Sequence, residues 1–182
     1  MIIGITGTFC AGKGTIVEYL QKKGFRHYSM SGYITEEIKR RGLEVNRDNM
    51  ILVANDLRAR HSPSFIAEEL YKEAKKDGGD SIIESLRTVG EITALKGKGR
   101  FYLFAVDADR RIRYERSQSR KSDKDSVTFE KFCAQEDQEM TSTDPNKQNI
   151  SKCIPLADFV FTNDGTVDGL HSQIDTVLKR LR

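Results

Sequence analysis

The sequence predicts an α/β domain: a five-stranded parallel sheet with helices on both faces. Short apolar runs alternate with segments of helical periodicity from one end of the 182-residue chain to the other, with no internal repeat or low-complexity linker between them. The first apolar run, Met1-Ile2-Ile3-Gly4-Ile5-Thr6, passes through a glycine-rich turn directly into a helical pattern. Strands separated by helices pair in parallel, are covered on both faces, and connect by right-handed crossovers.

In chain order the strands are expected at residues 2–6, 26–28, 81–84, 101–106 and 159–162. Helical stretches are expected at 14–23, 34–41, 47–60, 63–76, 89–96, 110–120, 128–140 and 167–181. Two connections exceed what a strand–helix–strand unit needs. The first, 28–80, is long enough to build a second substrate site, and the second, 107–145, to build a closing lid; ordinary helical packing is the alternative for both. The length suits one domain spanning 1–182 with a real core.

Hydrophobic residues make up 37% and charged residues 31%, a soluble globular balance. No apolar run is long enough to span a bilayer, and the amino terminus reads as a strand and not as a signal, so a cytoplasmic protein without a membrane partner is expected. Three cysteines, Cys10, Cys133 and Cys153, lack metal-type spacing and read as reduced thiols. His27, His61 and His171 are scattered and read as structural. A net charge of +3 is too small to argue for nucleic acid. The basic run Arg110-Arg111-Ile112-Arg113-Tyr114-Glu115-Arg116 continuing to Lys121 has three readings: a solvated helix face, a nucleic-acid patch, or, beside a phosphate-binding loop, a polyphosphate clamp.

That loop is Gly7-Thr8-Phe9-Cys10-Ala11-Gly12-Lys13-Gly14-Thr15. Its glycines let successive N–H groups turn inward and form an anion nest at the positive end of the following helix. Lys13 would reach the outer phosphates of ATP, and the Thr15 hydroxyl would ligate a bridging Mg2+. The hydroxyl comes one place after the usual position, because Gly14 intervenes.

Phosphoryl transfer needs positioning, a metal and positive charge around the transferring oxygens. Arg87, after the strand Ser81-Ile82-Ile83-Glu84, is a candidate for the acceptor phosphate, with an ion pair to Glu84 or Glu91 as the alternative. Glu84, closing that strand, is a candidate for the metal shell or for orienting the acceptor. Arg116 and Arg120 share one helix face, with Arg113 extending the row. After the last strand, Asn163-Asp164-Gly165-Thr166 either meets a purine edge or serves as a plain helix cap by Asp164 or Thr166.

With these motifs in order, the chain resembles the nucleoside monophosphate kinase and dephospho-CoA kinase branch of P-loop enzymes. Within it, the likeness is to adenylate-kinase-related archaeal-type proteins and to the P-loop domain preceding deoxycytidylate deaminase-like domains. The resemblance implies a three-layer P-loop NTPase fold with a helical acceptor-binding insertion and a lid. It also implies that Arg116 packs on the donor adenine, Arg120 contacts phosphates and residues 163–166 lie beside the base. On the acceptor side it implies that Arg87 binds the acceptor phosphate, and that Ser29, Ser31 and Gly32 line the acceptor wall. Where relatives show Ser-Thr-Gly-Asp and then an arginine, this chain has Ser29-Met30-Ser31-Gly32 and then Thr35-Glu36. The expectation is therefore an ATP- and Mg2+-dependent phosphotransferase, monomer or homodimer, whose acceptor is a nucleotide or nucleotide-like small molecule. A nucleotide-binding sensor with little catalysis is the alternative.

Overall fold

A computed structural model describes residues 1–119, 127–141, 144 and 147–181. Strands β1 (Ile2–Gly7), β2 (Arg26–Ser29), β3 (Ser81–Glu84), β4 (Phe101–Asp107) and β5 (Phe159–Thr162) form one parallel sheet in the order β2-β3-β1-β4-β5. Each of the five expected strands is present; β1, β2 and β4 reach one residue further at the carboxyl end, and β3 and β5 have the expected bounds. The helices are α1 (Lys13–Lys22), α2 (Met30–Arg40), α3 (Arg47–Arg60), α4 (Phe65–Asp77), α5 (Val89–Lys96), α6 (Arg110–Ser119), α7 (Phe129–Met140), α8 (Ile150–Cys153) and α9 (Val167–Leu181).

All six residues of β1 are buried, because it is the central strand and both its faces are covered. The two-residue period of the strands sorts the core into two layers. Ile2, Ile83 and Leu103 face α2, α3, α4 and α5. Ile3, Ile5, Ile82, Phe104 and Val106 face α1 and α9. On α9 the buried residues Leu170, Ile174, Val177 and Leu178 recur at helical spacing. Each is worth roughly 1.5–3 kcal/mol on full burial.

Two boundaries differ from expectation. Helix α2 begins at Met30, four residues earlier, because the Ser29 hydroxyl accepts the Gly32 N–H at 3.1 Å and starts the helix where the strand stops. Helix α8 was not anticipated; the Asn149 side chain caps it, and a 3-10 turn at Ile154–Leu156 containing Pro155 ends it. Among the described residues, no helix is long and apolar enough to cross a membrane.

In this strand order the chain leaves β1 for one side of the sheet and later returns to the other. The crevice at the carboxyl end of β1, between β3 and β4, is the switch point where open α/β sheets bind ligands. The glycine-rich loop, the turn after β3 and the start of α6 all open onto that edge.

Candidate active site

The loop between β1 and α1 is shaped by backbone geometry that side chains reinforce. Gly7 has φ 141°, and any Cβ there would collide with the Val106 carbonyl of the neighbouring strand. Gly12 has φ 108° and sits at the N-cap of α1 against the Asn163 amide. Cys10 occupies the left-handed region at φ 59° and is buried, which agrees with a small residue fitting the turn.

Four loop carbonyls are each drawn to a named donor. Lys13 Nζ donates to Gly7 O at 3.0 Å and Thr8 O at 2.7 Å. An Arg113 guanidinium N–H donates to Phe9 O at 3.2 Å, and Asn163 Nδ2 to Ala11 O at 2.8 Å. A carbonyl and the next N–H point in opposite directions in a peptide plane, so holding these oxygens fixes the orientation of the intervening N–H groups. The first α1 bond runs from Ile16 N to Gly12 O, which leaves the Lys13, Gly14 and Thr15 N–H groups at the helix mouth. A side chain at Gly14 would meet nothing within 4 Å, so the space beside it is open. Thr8 is buried and its hydroxyl donates to Asp107 Oδ1 at 2.6 Å, tying the loop to the end of β4.

The opposite wall is the end of β3. Register pairs Glu84 with Ile5 on one side and Ser29 on the other, and Ser85 follows at φ 73° in a sharp turn. His27 Nε2 lies 3.0 Å from Glu84 Oε2. The structural role expected for His27 thus takes the form of a bond to a candidate site carboxylate, a contact that depends on strand register and leaves no local motif. The His27 hydrogen bond holds the Glu84 carboxyl below the usual carboxylate range. Burial opposes this, and the electrostatics of His27, Lys13 and Arg87 reinforce it. Glu84 thus lies in the shared field of Lys13 and Arg87, two residues 74 positions apart whose approach the sequence only suggested.

A depressed carboxyl stabilises the fold at pH above the ordinary carboxylate value, and that stability is lost as pH falls through the depressed value. Glu84→Gln is therefore expected to flatten the acid limb of thermal stability below about pH 4.5. Melting curves between pH 7 and pH 3 check this; parallel acid limbs in the two proteins would contradict it.

Arg87 makes neither of the ion pairs considered. Its backbone N–H donates to Glu91 Oε2 at 2.9 Å, and its guanidinium donates to the neutral Gln148 amide at 3.0 Å. Ser29 is spent as the α2 cap, while Ser31 and Gly32 fall inside its first turn and not in a loop.

On the other side of the loop, Arg116 donates to Asn163 O at 2.8 Å, so these two candidates meet. The Asn163 side chain is committed to the loop backbone, and the α9 cap is Thr166, whose hydroxyl accepts the Gly169 N–H at 3.1 Å. Asp164 instead accepts the Asp109 N–H at 2.6 Å. Gly165 has open space around it. Arg113 does not extend the Arg116 row: it is 4% exposed and paired with Glu136, itself 5% exposed, on α7. The rings of Phe9 and Phe132, 5.9 Å apart, add a second link between loop and α7. Arg120 and most of the expected lid tip lie outside the described residues. The Cys153 thiol is pushed up to about 12 by burial, with the Glu91 charge adding, in keeping with an inert thiol.

The arrangement has close counterparts. The chain is 29% identical over 184 residues to a UPF0200 protein of Methanocaldococcus jannaschii, covering 100% of this chain and 90% of that one. It superposes on a shikimate kinase from Bacteroides thetaiotaomicron with a TM-score of 0.61 at 12% identity, covering 98% of each chain. A dephospho-CoA kinase from Campylobacter jejuni gives 0.54 at 13% identity, covering 99% of this chain and 96% of that one. The fold is therefore that of P-loop kinases. The sequence match itself is broader than the kinase branch suggested by the motifs: over residues 3–142, most of its length, the chain belongs to the AAA domain family.

Proposed function

We propose that this protein is an ATP- and Mg2+-dependent phosphotransferase acting on a nucleotide or nucleotide-like small molecule. The observation that carries the reading is the placing of Lys13, Glu84 and Arg87 at the carboxyl edge of the adjoining strands β1 and β3, beside a glycine-rich loop whose carbonyls are held by Lys13, Arg113 and Asn163. The nest at the mouth of α1 fits a polyphosphate, and the oxygen donors Thr15 and Glu84 suit a hard cation that keeps several waters. Bound there, ATP and Mg2+ would supply a transferable phosphoryl group with its charge partly neutralised.

The residues divide the remaining work. The backbone at Gly7, Thr8, Cys10, Ala11, Gly12 and Gly14 would hold the donor phosphates. Lys13 would stabilise charge on the transferring group, with Arg116 and Arg120 as lid cations. Asn163 would serve the donor indirectly by fixing the loop, beside Gly165. Arg87 would hold the acceptor, with Ser29, Ser31 and Gly32 on its wall. Packing of α7 on the loop supports exclusion of water, which otherwise takes the phosphoryl group.

A coupled assay of ADP release over the ribonucleoside monophosphates and dephospho-CoA tests the reading. Stimulation by one acceptor is expected. Tight ATP binding with no stimulated turnover favours the sensor, a reading supported by the engagement of Glu84 with His27 and the absence of an arginine from α2 before Lys39-Arg40.

A further inference from the structure

Strand β2 turns its residues alternately to the two layers of the core. Tyr28 joins the layer under α2, α3, α4 and α5, so His27 and Ser29 face the other way, toward α1. On β3 the same alternation sends Ile82 and Glu84 to the α1 face, where Ile82 shares a core cluster with Ile16, Val17 and Leu20. Register sets Glu84 beside Ser29 and His27 beside Ile82, which leaves the histidine one diagonal step from the carboxylate and within 3.0 Å of it. The pair therefore lies on the sheet face that α1 covers, at the carboxyl edge where α1 begins.

A carboxylate oxygen only accepts, so His27 Nε2 carries the proton in this bond. The contact takes one oxygen, Oε2, and neither side chain is sealed: His27 is 25% and Glu84 20% exposed. Glu91 on α5 shows what a structural carboxylate looks like in this fold. It is 1% exposed, its Oε2 accepts the Arg87 and Thr88 N–H groups at 2.9 and 3.1 Å, and its Oε1 accepts an Arg58 N–H from α3 at 3.2 Å. Both of its oxygens are engaged, and one donor is a cation. Glu84 is instead steered through one oxygen by an imidazole and left partly open at the edge where the phosphate-binding loop lies. Carboxylates that bind metal ions are oriented in this way, by an outer hydrogen bond that fixes the group and leaves its negative charge to the ion.

We propose that His27 is a positioning residue for the Mg2+ that accompanies ATP: by holding Glu84 through Oε2, it presents the carboxylate to the ion together with the Thr15 hydroxyl. An imidazole N–H suffices to orient the group, whereas a fixed cation in its place would compete with the ion for the same charge. The inference rests on the reading of Glu84 and Thr15 as oxygen donors to Mg2+, and it requires neither an acceptor nor turnover. A bond from β2 to β3 could also serve only to lock two strands, and the two roles separate on Mg2+.

The test is calorimetric titration of the non-hydrolysable ATP analogue AMP-PNP, over a series of free Mg2+ concentrations and in EDTA, with thermal melting alongside. The proteins are the full chain; His27→Gln, which keeps an N–H donor; His27→Leu and His27→Phe, which remove it; and each removal combined with Glu84→Gln. The Mg2+ concentration giving half of the enhancement in binding is expected to rise about 10–100-fold in His27→Leu and His27→Phe and to stay near wild type in His27→Gln. Affinity in EDTA should not move. With Glu84→Gln in place, removal of His27 should add nothing, because no carboxylate is left to position. A strand lock would lower the melting temperature of the removal variants without changing their Mg2+ dependence. No AMP-PNP binding, wild-type binding indifferent to Mg2+, an unaltered Mg2+ dependence in a folded removal variant, or an equal effect with and without Glu84 overturns the inference. ADP release over the acceptor panel bears separately on the reaction. His27-dependent Mg2+ binding without turnover upholds the positioning role and removes the phosphotransferase reading. Turnover with an unaltered Mg2+ requirement in His27→Leu does the reverse.

Discussion

Replacing Lys13 by alanine is expected to reduce phosphoryl transfer by at least about a thousandfold while leaving the fold intact, because one preorganised cation at developing charge is worth that much. The ammonium bonds Gly7 O and Thr8 O, so it stands against the loop at the carboxyl edge of β1 and contributes to the field around Glu84. Its removal costs two partly exposed hydrogen bonds, a loss on the order of 1–2 kcal/mol. The loop retains its other fixings: Thr8 to Asp107, Phe9 to Arg113 and Ala11 to Asn163. Steady-state kinetics with the best acceptor, together with thermal melting, separates the two effects. Full activity in Lys13→Ala would remove the phosphotransferase assignment.

Arg113→Met is expected to produce the largest loss of stability, at most about 3–5 kcal/mol, the cost of removing one partner of a buried ion pair, which Arg110 only partly offsets. Glu136 lies almost wholly inside, and its remaining cation, Arg110, is 41% exposed with its Nε 2.7 Å from Oε2. The double variant Arg113→Met/Glu136→Leu should recover most of that loss, since replacing both members of a buried pair by apolar groups is often neutral. Catalysis should not recover with it, because Phe9 O and Ala108 O both lose the guanidinium that joins loop to α6. Denaturant midpoints and turnover on the two variants check both halves. A single variant as stable as wild type would show that the pair is not holding α6 to α7.

The sheet was legible because its strands are short apolar runs that turns then punctuate: Ile2–Gly7 is buried on both faces, and the edge strand Phe159–Thr162 keeps the apolar run although only Phe161 is fully buried. The phosphate-binding loop was legible for a related reason: its glycines, lysine and threonine are contiguous, so their geometry is local. The start of α2 was misjudged because the signal at Ser29 is a cap, which depends on one hydroxyl meeting one N–H three residues later. Arg113 looked like a neighbour of Arg116 because both lie on one helix. Spacing gives the face of a helix but not what covers it, and here Glu136 of α7 covers it.

Residues far apart in sequence followed another rule. Nothing near His27 announces Glu84, and nothing near Arg58 announces Glu91, because these contacts arise from strand register and from a side chain of α3 reaching one of α5. The amino-acid sequence by itself determined the class of fold and the loop for phosphate, since periodicity and backbone freedom act within a few residues. Only the tertiary structure decided how charges are shared across the crevice: which cation ties the loop, which carboxylate the histidine holds and which arginine pairs with Glu91. Those pairings are set where distant elements exclude water from one another and each buried charge must find its partner.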